Sequence, residues 1–171
     1  KLISSQESFT NEIMHIYIEQ FGFNNSYRNS GESERTSMWS LNLNEEKKLL
    51  ILRISETLTL NKLSDILKAI YIENDGKIAF YNRFVDMSDL KSLEIDFDTF
   101  AFYINKYRRL IKPDTPVKIS LFIPENYVGG FPHLYKSMLS NDQFKIEISD
   151  SLDKCAEYLS VDKKLLEDAV K

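Results

Sequence analysis

Strand-like and helix-like patterns alternate along most of this chain, and that alternation limits the possible folds more than any single motif does. From Trp39 onward, short apolar or alternating stretches are separated by longer stretches whose apolar residues have a helical spacing. Such an order is typical of an α/β domain in which helices cover a largely parallel sheet. The sequence therefore predicts a layered α/β domain rather than an all-helical or all-β one.

The first two strands are predicted to form a hairpin. MWSLNL alternates apolar and polar residues from Trp39 to Leu43, NEEK supplies a turn, and LLILRI follows as the second strand. Further strands are predicted in KIAFYNRFVDM, VKISLFI and FKIEI. Because a hairpin adds an antiparallel strand, we expect a mixed sheet of about five strands with helices on both faces.

Helices are predicted between these strands. Thr59 is a suitable N-cap for TLTLNKLSDILKAIYIEN, and Asp96 or Asp98 is expected to open a helix that ends before Pro113. A third helix follows Gly129, a fourth covers SLDKCAEYL, and a last one is expected to start at Asp162. The residues predicted to be buried are Leu41, Leu52, Leu63, Leu67, Ile78, Val85, Ile104, Ile119, Leu121, Met138 and Leu159.

The N-terminal part of the chain has a different character. SFTNEIMHIYIEQFGF fits a helix face but also contains the strand-like HIYIE, and we favour the helix. NNSYRNSGESERTS is rich in Asn, Ser, Gly and charge, which indicates an exposed, mobile loop. The sequence therefore predicts an N-terminal extension over residues 1–37 and one domain over residues 38–171.

Composition restricts the class of protein. The 171 residues are 43% hydrophobic and carry a net charge of −4, so no basic face favours nucleic acid. One cysteine cannot form an internal disulfide framework, and no apolar run has the length of a membrane span. Because no signal-peptide pattern follows Lys1, we expect a cytoplasmic protein.

Four segments together resemble a known group of domains. They are LRISETLTLNKLSDILKAI, FYNRFVDMSDL, KISLFIPENYVGGFPHLYKSM and FKIEISDSLDKCAEYLSV. In order and spacing they are similar to the SpoIIAA-like group of the STAS domains (sulfate transporter and anti-sigma factor antagonist), over about Trp39 to Leu159. Two positions depart from the group's pattern, because Glu56 stands where Gly is usual and Tyr158-Leu159 stands where Trp-Leu is usual.

The resemblance implies a STAS-like mixed sheet and a regulatory or interaction role. The group is also similar to the lipid-carrying CRAL-TRIO fold, which makes an apolar small molecule or a membrane surface a plausible target. A protein partner or a second copy in a homodimer is the other expectation. We therefore expect a non-enzymatic binding module without a cofactor.

The group that this sequence resembles includes the anti-sigma antagonists. In those proteins a phosphorylated serine follows a strand in an Asp-Ser-Ser-Gly type turn. This sequence has Leu93-Glu94-Ile95-Asp96 at the corresponding place, and Ser92 is the nearest candidate. A phosphate on Ser92 would lie among acidic residues with only Lys91 nearby in sequence. An ordinary turn is therefore favoured over a phosphorylation switch, and Ser88 is expected to satisfy local backbone groups.

Residues suited to catalysis are few. The histidines are His15 and His133, and Cys155 shares the apolar stripe of its helix, so core packing is expected for Cys155. No recognised spacing of metal ligands and no phosphate-binding loop is present in the sequence. Gly129-Gly130 could present N–H groups to an anion or a substrate, although a simple turn is the stronger interpretation. A substrate-handling enzyme at this glycine pair remains an alternative.

The segment DFDTFAFYINKYRRLIK has an apolar arc that covers close to half of its helical circumference. One interpretation is packing against both the sheet and a neighbouring helix. The other is a binding flank formed by Phe100, Tyr103, Tyr107 and Leu110, bordering an apolar pocket, a dimer surface or a lipid surface. Basic residues at the end of the helix suit its dipole and could also meet lipid headgroups or a carboxylate-bearing ligand, namely Lys106, Arg108, Arg109 and Lys112.

Overall fold

The computed structural model describes residues 39–123 and 131–170. The predictions for residues 1–37 and for the Gly129-Gly130 pair lie outside these ranges. The proposed division of the chain into an extension and a domain therefore stays a prediction.

A five-stranded mixed sheet forms the centre of the fold, which confirms the predicted fold class. Its spatial order is β1-β2-β4-β6-β7, with β1 antiparallel to β2 and every other neighbouring pair parallel. The strands are β1 (Trp39–Asn44), β2 (Leu49–Ile54), β4 (Asn82–Asp86), β6 (Val117–Phe122) and β7 (Phe144–Ser149).

A second, two-stranded sheet was not predicted. It pairs β3 (Glu56–Thr59) with β5 (Leu90–Glu94) in parallel, and the register shifts between Glu56 and Thr57. Both strands are short, and the sequence pattern of β5 predicts a turn instead. At the shift, Glu56 has a φ of 62°, a left-handed conformation that glycine adopts without a steric cost.

Three of the five helices begin at the predicted capping residues. The side chains of Thr59, Asp96 and Asp162 accept hydrogen bonds from the backbone N–H groups of Lys62, Thr99 and Lys164. The helices are α1 (Leu60–Tyr71), α2 (Phe97–Arg108), α3 (Phe131–Leu139), α4 (Leu152–Leu159) and α5 (Lys163–Glu167).

The strand predicted in KIAFYNRFVDM is wrong in its first half. Residues Glu73–Phe80 form a 3₁₀ helix, and β4 starts only at Asn82. Gly76 has a φ of 66°, and a Cβ at this position would lie 3.1 Å from the carbonyl oxygen of Tyr71. The chain thus turns tightly after α1, and Ile78 and Ala79 are buried without belonging to a strand. A short apolar run in a sequence does not distinguish a buried strand from a buried helical turn.

The two faces of the sheet bury two separate cores. Leu50 and Leu52 of β2 face α1, α2 and α3, whereas Leu49 and Ile51 face α4 and α5. Successive side chains of a strand point to opposite faces, so a strand covered on both sides is apolar throughout. Helices therefore lie on both faces, as predicted.

The predicted core is largely confirmed, with two exceptions. Leu41 is only half-buried, because β1 is the edge strand. The predicted burial of Met138 is wrong, because its side chain is 54% exposed, whereas the next residue, Leu139, is 1% exposed. In α3 the inward face carries Tyr135 and Leu139, four residues apart. The confirmed residues are Leu52, Leu63, Leu67, Ile78, Val85, Ile104, Ile119, Leu121 and Leu159.

Candidate functional site

An apolar cavity of about 70 Å³ lies on the face of the sheet that α1, α2 and α3 cover. Its walls are mainly aliphatic side chains from the sheet and from two of the helices, such as Leu52, Val85, Leu63, Ile104 and Leu121. One water needs roughly 10–15 Å³ measured in this way, so the cavity has room for several waters or for a small organic molecule.

Arg83 is one of two arginines in this mainly apolar lining. It shares a face of β4 with Val85, so its side chain enters the core although it is charged. Arg83 is only 5% exposed. Its Nη1 donates to the Tyr71 hydroxyl and its Nη2 donates to the Ala79 carbonyl, both at 2.8 Å. The buried Nε has no hydrogen-bond partner.

Arg108, the last residue of α2, is the second arginine in the lining. It is 4% exposed, and its Nη1 donates to the Leu139 carbonyl at 2.5 Å. Its Nε and Nη2 are buried without a hydrogen-bond partner. Because an arginine stays charged in proteins, each of these groups brings a full positive charge into the core.

Both guanidinium groups lie near the ring of Phe144. The distance from the ring centre to the guanidinium carbon is 4.3 Å for Arg108 and 5.9 Å for Arg83. The Tyr71 ring is 4.9 Å from the guanidinium carbon of Arg83. A cation–π contact contributes about 0.5–2 kcal/mol, whereas burying one ion costs several kcal/mol. The aromatic rings therefore offset only part of the cost of burial.

The described part of the chain supplies no negative charge to these arginines. Among residues 39–123 and 131–170, no ion pair joins either guanidinium to a carboxylate, and Arg53 is the arginine that pairs with Asp86 and Asp89. Tyr135 lies in the same lining, but burial raises the pKa of its hydroxyl, and the nearby charges of Arg108 and Arg83 only partly oppose that rise. Tyr135 is therefore neutral near pH 7.

A solvent-open groove of about 380 Å³ lies at the C-terminus of α2. Arg108 lines both the groove and the cavity. Arg109 and Lys112 also line the groove, and none of the described residues along it is acidic. The groove thus has a positive potential on the side from which an anion would reach Arg108.

The C-terminal end of β4 carries a different group of charges. Asp86 is 1% exposed, its Oδ1 accepts from the Ser88 backbone N–H at 2.9 Å, and Arg53 Nε lies 3.6 Å from its Oδ2. Arg53 also donates to Asp89 at 2.5 Å. These contacts hold the turn after β4, so this carboxylate has a structural role.

The predicted aromatic flank of α2 is divided between the core and the surface. Phe100 lines the cavity, and Tyr107 is buried with its ring centre 6.1 Å from that of Tyr71. Tyr103 and Leu110 are half-buried. The structure thus places one of the four residues at the cavity, and ligand binding by the flank stays a prediction.

The other predicted site residues do not converge on the cavity. Ser92 is exposed on β5, and its hydroxyl shares a hydrogen bond of 2.8 Å with the Thr57 hydroxyl. Cys155 is completely buried, as expected, and burial raises the pKa of its thiol. His133 is exposed on α3. Within the described residues no three His, Cys, Asp or Glu side chains are grouped as metal ligands.

The sequence contains one signal that points to a cavity arginine. Arg83 is followed by the apolar Phe84 and Val85, and alternation places it on the same face of the strand as Val85. A charged residue on the inward face of a buried strand is rare and indicates a function or a partner. For Arg108 the sequence predicts only a charge at a helix end.

One comparison with known proteins supports the fold. The structure is similar to the crystal structure of an uncharacterized protein of the DUF3478 family with a SpoIIAA-like fold, from Shewanella loihica PV-4. The two share 9% sequence identity and a TM-score of 0.50, over 75% of this chain and 99% of the other. This chain therefore has a SpoIIAA-like fold.

No family model and no curated protein matches the sequence. At 9% identity the structural match carries the fold alone and leaves membership of the STAS family as a proposal. Among the described helices, none is both long enough and apolar enough to cross a membrane.

Proposed function

We propose that this protein is a non-enzymatic binding module that takes a small, largely apolar molecule into the cavity between its sheet and α1, α2 and α3. The cavity of about 70 Å³, with its mainly aliphatic lining, is the observation that carries this proposal. Ligand sites are typically concave and apolar with a few polar groups that fix orientation, and this cavity has that composition.

The chemistry of the lining favours binding over catalysis. Its described polar side chains are Tyr71, Tyr135, Arg83 and Arg108, without a Ser, Thr, Cys, His, Asp or Glu. Nucleophilic and acid–base catalysis both need a nucleophile or a base with a suitable pKa. Two arginines and two tyrosines can orient a ligand and neutralise its charge, which is the role of a carrier or a sensor.

Two measurements test the proposal. Native mass spectrometry of the purified protein should reveal a copurified small molecule, and ligand-detected NMR should show binding of toluene to the emptied protein. Ile104→Phe, which adds volume to the cavity wall, should abolish toluene binding, whereas Phe102→Leu on the exposed side of the same helix should not. Equal toluene binding by both variants would place the apolar ligand elsewhere.

A second candidate function is contact with an anionic membrane surface. Phe102 is 64% exposed and shares one side of α2 with Lys106 and the exposed Arg109. An exposed aromatic residue beside basic residues suits the interface of an anionic bilayer. Phe102→Ser should then weaken cosedimentation with phosphatidylserine vesicles. Phe80→Ser, at another exposed aromatic residue, is the control, and equal cosedimentation of both variants would reject this surface.

A further inference from the structure

We propose that the ligand of the cavity is a small monocarboxylate, whose carboxylate binds between Arg83 and Arg108 and whose apolar body fills the aliphatic part. This inference rests on the proposed binding function and specifies its ligand class. The juxtaposition that supports it is two buried guanidinium groups on one apolar cavity, neither of them ion-paired within the described residues.

The donors that remain available favour an anion. Nε of Arg83 and Nε and Nη2 of Arg108 are buried N–H groups without a partner. Leaving such a group unsatisfied costs about 1–3 kcal/mol, and more when it is charged. The other described hydrogen bonds of the two arginines go to a hydroxyl and two backbone carbonyls, which are neutral and do not compensate the positive charge. An anion in the cavity would satisfy the donors and neutralise the charge together.

The shape and polarity of the cavity favour a carboxylate on an apolar body. A planar carboxylate matches the fork of a guanidinium group, and its two oxygens can accept from both arginines. The volume of about 70 Å³ restricts the body to a short chain or a single ring. A bare inorganic anion would leave the aliphatic walls around Leu63 and Ile104 without contacts.

The groove at the end of α2 offers the side of entry. Arg109 and Lys112 would attract an anion to the groove, and Arg108 would then be the first cavity residue that it meets. Surface charges of this kind change association rates more than affinity. Loss of Arg109 should therefore slow association, and the control position is the exposed Lys154 of α4, on the other face of the sheet.

The decisive experiment compares carboxylates with their neutral amides on the unmodified chain of 171 residues. Calorimetry would measure acetate, butyrate, hexanoate and benzoate against acetamide, butyramide, hexanamide and benzamide, with toluene and inorganic phosphate as further probes. We expect at least one carboxylate to bind ten-fold or more tightly than its amide, and affinity to rise from acetate to a longer or cyclic body.

Variants then locate the carboxylate. Arg108→Met and Arg83→Met should each weaken binding of the best carboxylate at least ten-fold while toluene binding is retained. Arg108→Lys should keep part of the affinity, and Lys154→Met, at an exposed residue that lines neither the cavity nor the groove, should change it less than two-fold. Circular dichroism would verify that each variant is folded. The carboxylate-to-amide ratio in the wild type decides the question even if a variant does not fold.

Each contrary result overturns a different statement. Equal binding of amides and carboxylates, with toluene bound, would reject the carboxylate and leave the apolar binding function intact. Inorganic phosphate binding as tightly as the best carboxylate would show that the arginines hold a bare anion, which overturns the assignment. If neither toluene nor any carboxylate or amide binds, the proposed function and this inference both fail.

Discussion

The guanidinium carbon of Arg108 lies 4.3 Å from the centre of the Phe144 ring, inside the core rather than at the surface. A buried charge that lacks a carboxylate partner is kept at a cost to stability, and replacing it by an apolar side chain of similar length relieves that cost. The proposed carboxylate ligand would supply a reason for keeping a charge at this cost.

Arg108→Met is therefore expected to leave the free energy of unfolding unchanged or to raise it by about 1–3 kcal/mol in the ligand-free protein. The lost bond to the Leu139 carbonyl, worth about 1 kcal/mol, opposes this gain. Urea unfolding measures the effect, with Arg109→Met as an exposed control expected to stay within about 0.5 kcal/mol. A loss of more than about 2 kcal/mol would show that Arg108 is a structural residue.

The register of α3 can be tested at two neighbouring residues. Leu139 is 1% exposed and Met138 is 54% exposed. Leu139→Ala is expected to lower the free energy of unfolding by about 2–5 kcal/mol, because it empties a packed position. Met138→Ala should change it by less than about 0.5 kcal/mol. Similar losses for both variants, compared by their urea midpoints, would contradict the orientation of this helix.

Glu56 adopts a φ of 62°, in the region that side chains with a Cβ rarely occupy. Its carboxylate also contacts Lys91 Nζ at 2.8 Å, in an exposed ion pair of little energetic weight. Because Glu56→Gly and Glu56→Ala both remove this pair, their difference isolates the backbone. Glu56→Gly should be about 1 kcal/mol more stable than Glu56→Ala in chemical denaturation. Identical midpoints would mean that the backbone is not strained there.

The N-cap of α2 should give stability a dependence on pH. The backbone N–H of Thr99 donates to Asp96 at 2.8 Å and lowers the pKa of this carboxyl below its ordinary value of 3.8. Since the folded pKa is depressed, the stabilisation is present above the ordinary pKa and is lost as the pH falls through the folded one.

Asp96→Asn keeps an acceptor oxygen but does not titrate. The stability advantage of the wild type over this variant should therefore shrink as the pH falls from about 5 to about 2. Urea midpoints at a series of pH values would measure it. An advantage that stays constant over this range would show that Asp96 does not act through its charge.

Local chemistry explains what the sequence by itself determined. The side chains of Thr59, Asp96 and Asp162 cap helices within the next three residues, so their role depends only on nearby chain. Each strand and each helix has its own apolar spacing within a short segment. The alternation of these two spacings along the chain predicted the five-stranded sheet and the helices on both faces. The burial of Cys155 followed from the apolar stripe of its own helix.

Contacts between distant segments decided the rest. The 3₁₀ helix Glu73–Phe80, the pairing of β3 with β5 and the inward turn of Leu139 depend on packing that a local pattern does not contain. Arg83 and Arg108 come from a strand and the end of a helix, and only the tertiary fold brings both to Phe144 and to one cavity. The sequence could show two charged residues, but whether they are buried and left without a counter-charge is a property of the packed core.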